Sequence, residues 1–330
     1  MLLEPSSLAQ HTRCASRQNT QHSGCKAEQH IAINDILKIR FFFFESMKRN
    51  ASHAGSWYSG DPSTLSRQLD GWLDKTPSRQ EDIRAVIAPH AGFRFSGPTA
   101  AYAYKSVNAP TIQRVFILGP SHHVYLDGCA LTQCSDYETP LGNLPVDAAI
   151  NAQLRQTGRF TLMDSQTDED EHSIEMHLPF IRHVFKHSVT VVPILVGSIS
   201  PTKEKLFGSI LAPFLADKAN LFVVSSDFCH WGQRFNFTTH SDFSMDIHES
   251  IELLDREAMT HIETRRPEAF EAYLNKTRNT ICGRHPISVL MYAMNDQHRI
   301  QFVHYSQSNK VESQRDSSVS YAAAIIKLKQ

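Results

Sequence analysis

From about Ala51 to the C-terminus, apolar residues fall into two alternating patterns. One is the short run rich in Val, Ile, Phe and Leu, at residues 83–88, 114–118, 129–132, 190–196, 221–225, 301–305 and 319–327. Such runs are too short for helices and mostly apolar, which predicts strands covered on both faces. The other pattern has helical spacing. Asp61-Pro62-Ser63 supplies a start signal, after which Leu65, Leu69, Trp72 and Leu73 share one face. Val146, Ile150 and Leu154 before Gly158 predict a second helix, and Ile247, Ile251, Leu254 and Ile262 a third. A further helix is predicted from Ile287 to Met294. Strands alternating with amphipathic helices specify an α/β chain, here a three-layer α/β/α arrangement around a mostly parallel or mixed central sheet.

The first 46 residues break the pattern. They are rich in Gln, Ser, Thr and His and end in Phe41-Phe42-Phe43-Phe44. This segment is expected to be disordered or loosely docked, an extension preceding a working start at Met47. Residues 47–330, without a repeat or a Pro/Gly-rich linker, are read as one domain.

Composition narrows the function. The net charge of −1 provides no basic field for nucleic acid or anionic membrane. The greasiest stretch, Ile36 to Met47, is interrupted by Lys38, Arg40 and Glu45, and the N-terminus lacks a basic region followed by an apolar one, so neither span nor signal peptide is expected. Six cysteines are spread thinly, without a close pair, as reduced thiols of the cytoplasm would be, with the nucleus as a second compartment.

The histidines carry the chemistry. Ala85-Val86-Ile87-Ala88 runs into Pro89-His90, Val115-Phe116-Ile117-Leu118 into Gly119-Pro120-Ser121-His122-His123, and Leu221-Phe222-Val223-Val224 into Ser225-Ser226-Asp227-Phe228-Cys229-His230. In open α/β sheets ligands bind beyond the carboxyl ends of strands, where these turns lie. Imidazole is the commonest metal ligand, and two or three protein ligands with open positions mark a catalytic metal. With 18 histidines in the chain most are bland surface or core residues, but three at equivalent strand ends favour a metal site. Cys282 precedes a helix beside Arg284 and His285, an arrangement that biases a thiol toward thiolate; on its own residues, a small buried apolar thiol is the better reading. The polar run 166–179 lacks the HExxH order of zinc peptidases. Its His172 and Glu175 either line the pocket, with Glu175 orienting a histidine, or belong to a solvated helix cap.

Seven strings together resemble the Memo family, which mediates receptor tyrosine kinase driven cell motility. They are ASHAGSWY (from Ala51), APHAG (from Ala88), GPSHH (from Gly119), DEDEHSIEMHLP (from Asp168), SSDFCHWGQRF (from Ser225), NTICGRHP (from Asn279) and DSSVSYAA (from Asp316). The family is similar in fold and pocket position to extradiol ring-cleaving dioxygenases of the protocatechuate type, which use non-haem iron. The resemblance implies that His90, His122 and Cys282 hold one metal, copper or iron, with zinc accepted. It places His230 as acid/base with Asp227 beside it, and leaves His123, His172, Glu175 and Arg284 as second-tier pocket residues. Cysteine in place of the dioxygenase carboxylate favours softer ions and puts ring cleavage in doubt. The expected function is a metal-binding redox protein that docks a phosphotyrosine peptide of an activated receptor and relays the signal to cytoskeletal regulators. The alternatives are a phosphopeptide adaptor using a vestigial cleft, with Arg284 and the histidines as cationic donors, and, less favoured, a zinc hydrolase.

Overall fold

The computed structural model describes residues 47–77, 82–240 and 244–329, all within one compact unit running from Ser46 to Gln330. The N-terminal extension read from the sequence lies outside the described residues.

The seven predicted strands, joined by two short ones outside the sequence reading at Phe160–Leu162 and His230–Trp231, form a nine-stranded mixed sheet. In spatial order it runs β10 (His230–Trp231), β12 (Ser318–Leu328), β2 (Ile83–Ala88), β9 (Asn220–Ser225), β3 (Arg114–Pro120), β8 (Thr190–Val196), β4 (Cys129–Leu131) and β7 (Phe160–Leu162). β11 (His298–Gln307) pairs antiparallel along β12, off that path. The four central strands β2, β9, β3 and β8 are parallel, and β12 and β4 run against them.

The apolar runs are explained by period-two alternation into two cores. Val115, Ile117, Leu221 and Val223 pack on one face against α1 (Pro62–Lys75) and α2 (Phe93–Lys105). Phe116, Leu118, Phe222 and Val224 pack on the other, against α7 (Pro201–Ala216), α8 (Ile247–Glu263), α9 (Pro267–Thr277) and α10 (Arg284–Ala293). α1 and α2 meet closely because Gly97 lies under the Trp72 ring, where any Cβ would overlap it.

Two boundaries differ from the sequence reading. The second helix, α3 (Ala148–Gln156), begins after Val146, because the Asp147 carboxylate accepts the N–H of Ile150 at 3.0 Å and caps it there. The last helix begins at Arg284 rather than Ile287, since Pro286 in the first turn has no amide hydrogen to lose. The helices α2, α7 and α9, outside the sequence reading, lack the clean apolar stripe of α1. α2 is lined largely with small residues, and α7 carries Pro213 inside it.

A smaller three-stranded sheet joins β1 (Lys48–Arg49), β5 (Asp136–Tyr137) and β6 (Leu144–Pro145). Its function follows from Arg49, whose side chain is 0% exposed. The guanidinium donates from Nη1 to Glu175 Oε2 at 2.7 Å, from Nε to Asp168 Oδ1 at 3.1 Å and from Nη2 to the Glu171 carbonyl at 2.9 Å. Tyr137 and Thr132 donate to the same Asp168 carboxylate. The short helices α4 (Ser165–Asp170) and α5 (His172–Glu175) are thereby tied to the N-terminal strand.

Arg49→Ala should cost about 3–5 kcal/mol by leaving Asp168 and Glu175 buried without their cation. Arg49→Lys should recover little of that, for want of the guanidinium fork. Denaturant titration checks both. His177 offers a second check: it is fully buried beside the Tyr104 hydroxyl at 2.9 Å, and burial pushes its pKa down to about 3. The unfolded chain, with an ordinary imidazole, binds a proton here that the folded chain refuses. Stability should therefore fall as pH drops from about 6.5 toward about 3, with roughly 2 kcal/mol lost to this group at pH 5. His177→Gln should flatten that part of the stability profile.

Candidate metal centre

β2, β9 and β3 are adjacent and parallel, so the turns after them open on one crevice. This is the strand order the sequence did not show. His90 follows β2, His122 follows β3, and Asp227 with His230 follow β9. The Asn279–Cys282 turn reaches the same crevice because Gly283 packs against Ser225 and Ser226 so closely that a Cβ would overlap them. The Gly283 N–H donates to Ser226 Oγ at 3.1 Å, and the Asp227 N–H donates to Cys282 Sγ at 3.2 Å.

The result brings the ligand atoms of His90, His122 and Cys282 within 4.8 Å of one another. The hydrogen bonds around them decide which nitrogens are free. Ser225 Oγ donates to the Ser173 carbonyl at 2.7 Å, so toward His90 Nδ1, 2.6 Å away, it is left as an acceptor. His90 therefore carries its proton on Nδ1, and its bare Nε2 lies 3.3 Å from Cys282 Sγ. His122 Nδ1 meets Glu171 Oε1 at 2.9 Å, which likewise turns Nε2 toward the sulfur. A carboxylate behind a histidine, with the far nitrogen free, is the arrangement that metal-binding histidines use, and the donor set fits one soft or borderline ion.

Glu171, legible only as one acid in a run of four, is thus a main organiser of the site. It also accepts the His122 and Ser173 amides at 2.7 and 2.9 Å. Burial opposes its charge, but these bonds hold its carboxyl down at about 2. Burial also works against a proton on His122, yet Cys282 and Glu171 outweigh it and raise the imidazole to about 10, so ligation through Nε2 displaces a proton shared with the sulfur. His90, enclosed and facing other imidazoles, is held well below its usual value by burial first. An alternative donor group of His122, Glu171 and His172 exists, but it would use the carboxylate already bonded to His122 Nδ1.

Several expectations need correction. Cys282 is not driven to thiolate by a helix terminus: burial raises its pKa, and only then do His122 and the Asp227 amide pull it down. Arg284 is exposed and borders a different cleft with Glu204 and Glu271. His285 Nδ1 is engaged by Glu204 at 2.7 Å, so neither side chain serves the sulfur. Asp227 does not fix the tautomer of His230. The carbonyls of Phe228 and Thr280, at 2.9 and 3.2 Å, accept from His230 Nδ1 and leave Nε2 as the bare nitrogen. Asp227 instead accepts the His90 amide at 2.9 Å, and burial pushes its carboxyl up to about 7. Glu175 does orient a histidine, but it is His53, at 2.8 Å, rather than a ligand.

His172 stacks between the site and its rim, 4.5 Å from both His122 and Trp57 by ring centroids. Burial lowers its pKa to about 3. His123 is exposed, with its ring edge-on to His172 at 6.0 Å. The wall formed by His53 and Trp57 lay within the ASHAGSWY string, but aromatic residues in a turn carry no signal of what they face.

Comparison with known proteins agrees with the resemblance. The family described as Memo-like protein matches residues 49–325. "Protein memo-1 homolog" of Caenorhabditis elegans is 51% identical over 307 residues, covering 89% of this chain and 88% of that protein. "Protein MEMO1" of Xenopus laevis is 50% identical over 290 residues, covering 85% and 98%. The Homo sapiens protein of the same name is 48% identical over 287 residues, covering 84% and 97%. Among solved structures, uncharacterized protein JW3007 from Escherichia coli K12 aligns with a TM-score of 0.45 at 16% identity, over 72% of this chain and 98% of that one. With the family matching from Arg49 nearly to the C-terminus and half of the aligned residues shared with relatives over most of their length, this chain belongs to the Memo family.

Proposed function

We propose that the chain is a Memo-family metal protein that holds one copper or iron ion through His90, His122 and Cys282 and takes part in redox chemistry. The observation that carries the reading is the pair of imidazole Nε2 atoms facing one thiol, each ring fixed from behind through its Nδ1. Thiolate is softer than the carboxylate of a two-histidine-one-carboxylate triad, which favours copper(I) while admitting iron(II) or zinc. A bound copper or iron ion would supply one-electron chemistry with oxygen species. His230, with its bare Nε2 and carbonyls fixing Nδ1, is suited to take a proton from a molecule in the cleft. The Asp227 carboxyl, enclosed and titrating near neutrality, is a second proton-holding group. Family membership supports the larger proposal that the chain relays receptor tyrosine kinase signals to the cytoskeleton. Among the described residues no helix is long and apolar enough to cross a membrane.

A second reading, a phosphopeptide adaptor, draws on the groove beside the metal centre. It has a volume of about 600 Å³ and is lined by Trp57, Arg94 and Phe95. The two aromatic residues are 37% and 39% exposed, and the Arg94 guanidinium lies 4.3 Å from the Phe95 ring centre. A cation on an exposed aromatic ring, with a second exposed ring lining the same groove, suits a phosphorylated aromatic side chain.

Cys282→Ser should strongly reduce copper and iron stoichiometry in elemental analysis of the purified chain; full occupancy in that variant would refute the ligand set. Glu171→Gln should weaken metal affinity by about 10–100-fold with the fold retained, because the carboxylate orients His122 rather than binding the ion. Competition against a chelator of known strength measures it. For the second reading, a phosphotyrosine peptide should bind a variant lacking all three ligands as well as it binds the wild type; loss of binding there would tie the peptide to the metal.

A further inference from the structure

Asp255, on α8, is an acid outside the proposed ligand set, and it is 0% exposed. Among the described residues its partners are four neutral donors. Oδ1 accepts the Cys229 N–H at 3.2 Å and Asn279 Nδ2 at 3.0 Å, Oδ2 accepts the Tyr305 hydroxyl at 3.0 Å, and the Ser320 hydroxyl adds a fourth bond. The guanidinium of the adjacent Arg256 is engaged elsewhere, with Glu252 at 3.0 Å and over the Tyr305 ring. Burial raises the Asp255 carboxyl to about 6, so at neutral pH it is an anion held by hydrogen bonds alone. Enclosing such a charge is costly, and a fold that needed only a spacer here could use a neutral side chain of the same shape. What a carboxylate adds is bonds roughly twice as strong as those between neutral groups.

The groups it holds are those of the metal centre. Cys229 immediately precedes His230, and Asn279 immediately precedes Thr280. The Thr280 hydroxyl accepts the His230 N–H at 2.7 Å and donates to the His230 carbonyl at 3.0 Å, and Cys282 ends the same turn. A single oxygen of Asp255 thus ties the turn of the proton-transfer candidate to the turn of the sulfur. The orientation of Asn279 supports this reading. The Tyr273 hydroxyl donates to the Leu254 carbonyl at 2.7 Å, so toward Asn279 Nδ2, 2.9 Å away, it is an acceptor. Both amide hydrogens of Asn279 are then used, while its buried Oδ1 has no partner. An enclosed acceptor left unsatisfied is unfavourable, so the pull of the carboxylate on Nδ2 is what sets the amide.

We propose that Asp255 is a positioning residue of the metal centre, whose carboxylate acts through Asn279 and Cys229 to set where the Cys282 sulfur and His230 stand against the two imidazole ligands. The inference rests on the metal reading above and adds to it a residue that acts only through others.

Competition against a chelator measures the copper(I) affinity of the full chain, and loading with cobalt(II) reads the sulfur directly through the absorption band of a cobalt–thiolate bond. Asp255→Asn, of the same shape without the charge, should bind copper(I) about ten-fold more weakly or worse and lose intensity in that band. Asn279→Ala, which leaves the carboxylate but cuts its link to the Cys282 turn, should do the same. Tyr305→Phe removes a donor from the same carboxylate on the β11 side; it should keep the wild-type affinity and band even where thermal unfolding shows it destabilised as much as Asn279→Ala. Wild-type affinity and spectrum in Asp255→Asn would overturn the proposal. Equal losses in Tyr305→Phe and Asn279→Ala would also overturn it, by reducing Asp255 to a support of the fold at large. If Asp255→Asn does not fold, that pair of variants decides. A wild-type chain that takes up neither copper(I) nor cobalt(II) would instead refute the metal reading, and this inference with it.

Discussion

Two imidazole Nε2 atoms face one sulfur because each ring has its other nitrogen committed. Glu171 accepts the Nδ1–H of His122, and Ser225, whose own hydroxyl donates to the Ser173 carbonyl, accepts that of His90. Were either ring to present its protonated nitrogen inward, three groups would still meet but could not share an ion. Ligation thus rests on hydrogen bonds formed one layer away from the centre.

That layer is itself held by a buried cation. Arg49 binds the Glu171 carbonyl and the carboxylates of Asp168 and Glu175. Glu175 in turn receives the Tyr58 hydroxyl at 2.7 Å and both the amide and the ring of His53. A guanidinium with several partners can satisfy charges that would otherwise be costly to bury. The N-terminal strand, remote in sequence from every candidate ligand, therefore sets the height of the 168–175 segment against β3. Gly119 completes the fit, because a Cβ there would overlap Ser173 and Ile174.

The opposite wall is built differently. Cys282 is positioned through backbone and neutral side chains: Asp227 and Gly283 amides, Ser226, and Thr280, whose hydroxyl accepts the His230 amide at 2.7 Å. Beneath it, the buried Asp255 receives Asn279 Nδ2 at 3.0 Å and the Cys229 amide at 3.2 Å, linking the two turns to α8. One side of the centre is thus organised by a guanidinium and ionised carboxylates, the other by backbone amides, hydroxyls and the carboxyls of Asp227 and Asp255, which burial raises to about 7 and about 6.

The sequence by itself determined seven strands of the large sheet, because residues buried on both faces are mostly apolar and leave a nearly unbroken run, while β7, β10 and the three-stranded sheet left none. It also determined which turns carry histidine, and its ordered strings determined the family. It could not determine neighbours. That β9 lies between β2 and β3 is what brings His90, His122 and His230 to one crevice, and strand order follows from packing rather than from any local pattern. Nor could it separate Glu171 from the acids beside it, assign Glu175 to His53, or exclude Arg284 from the cleft. Those outcomes depend on which groups lie within hydrogen-bonding distance after segments more than a hundred residues apart have met, as Arg49 and Glu175 do, |i−j| = 126. Residue type limits what a side chain can do; only the tertiary structure decides which partner it does it with.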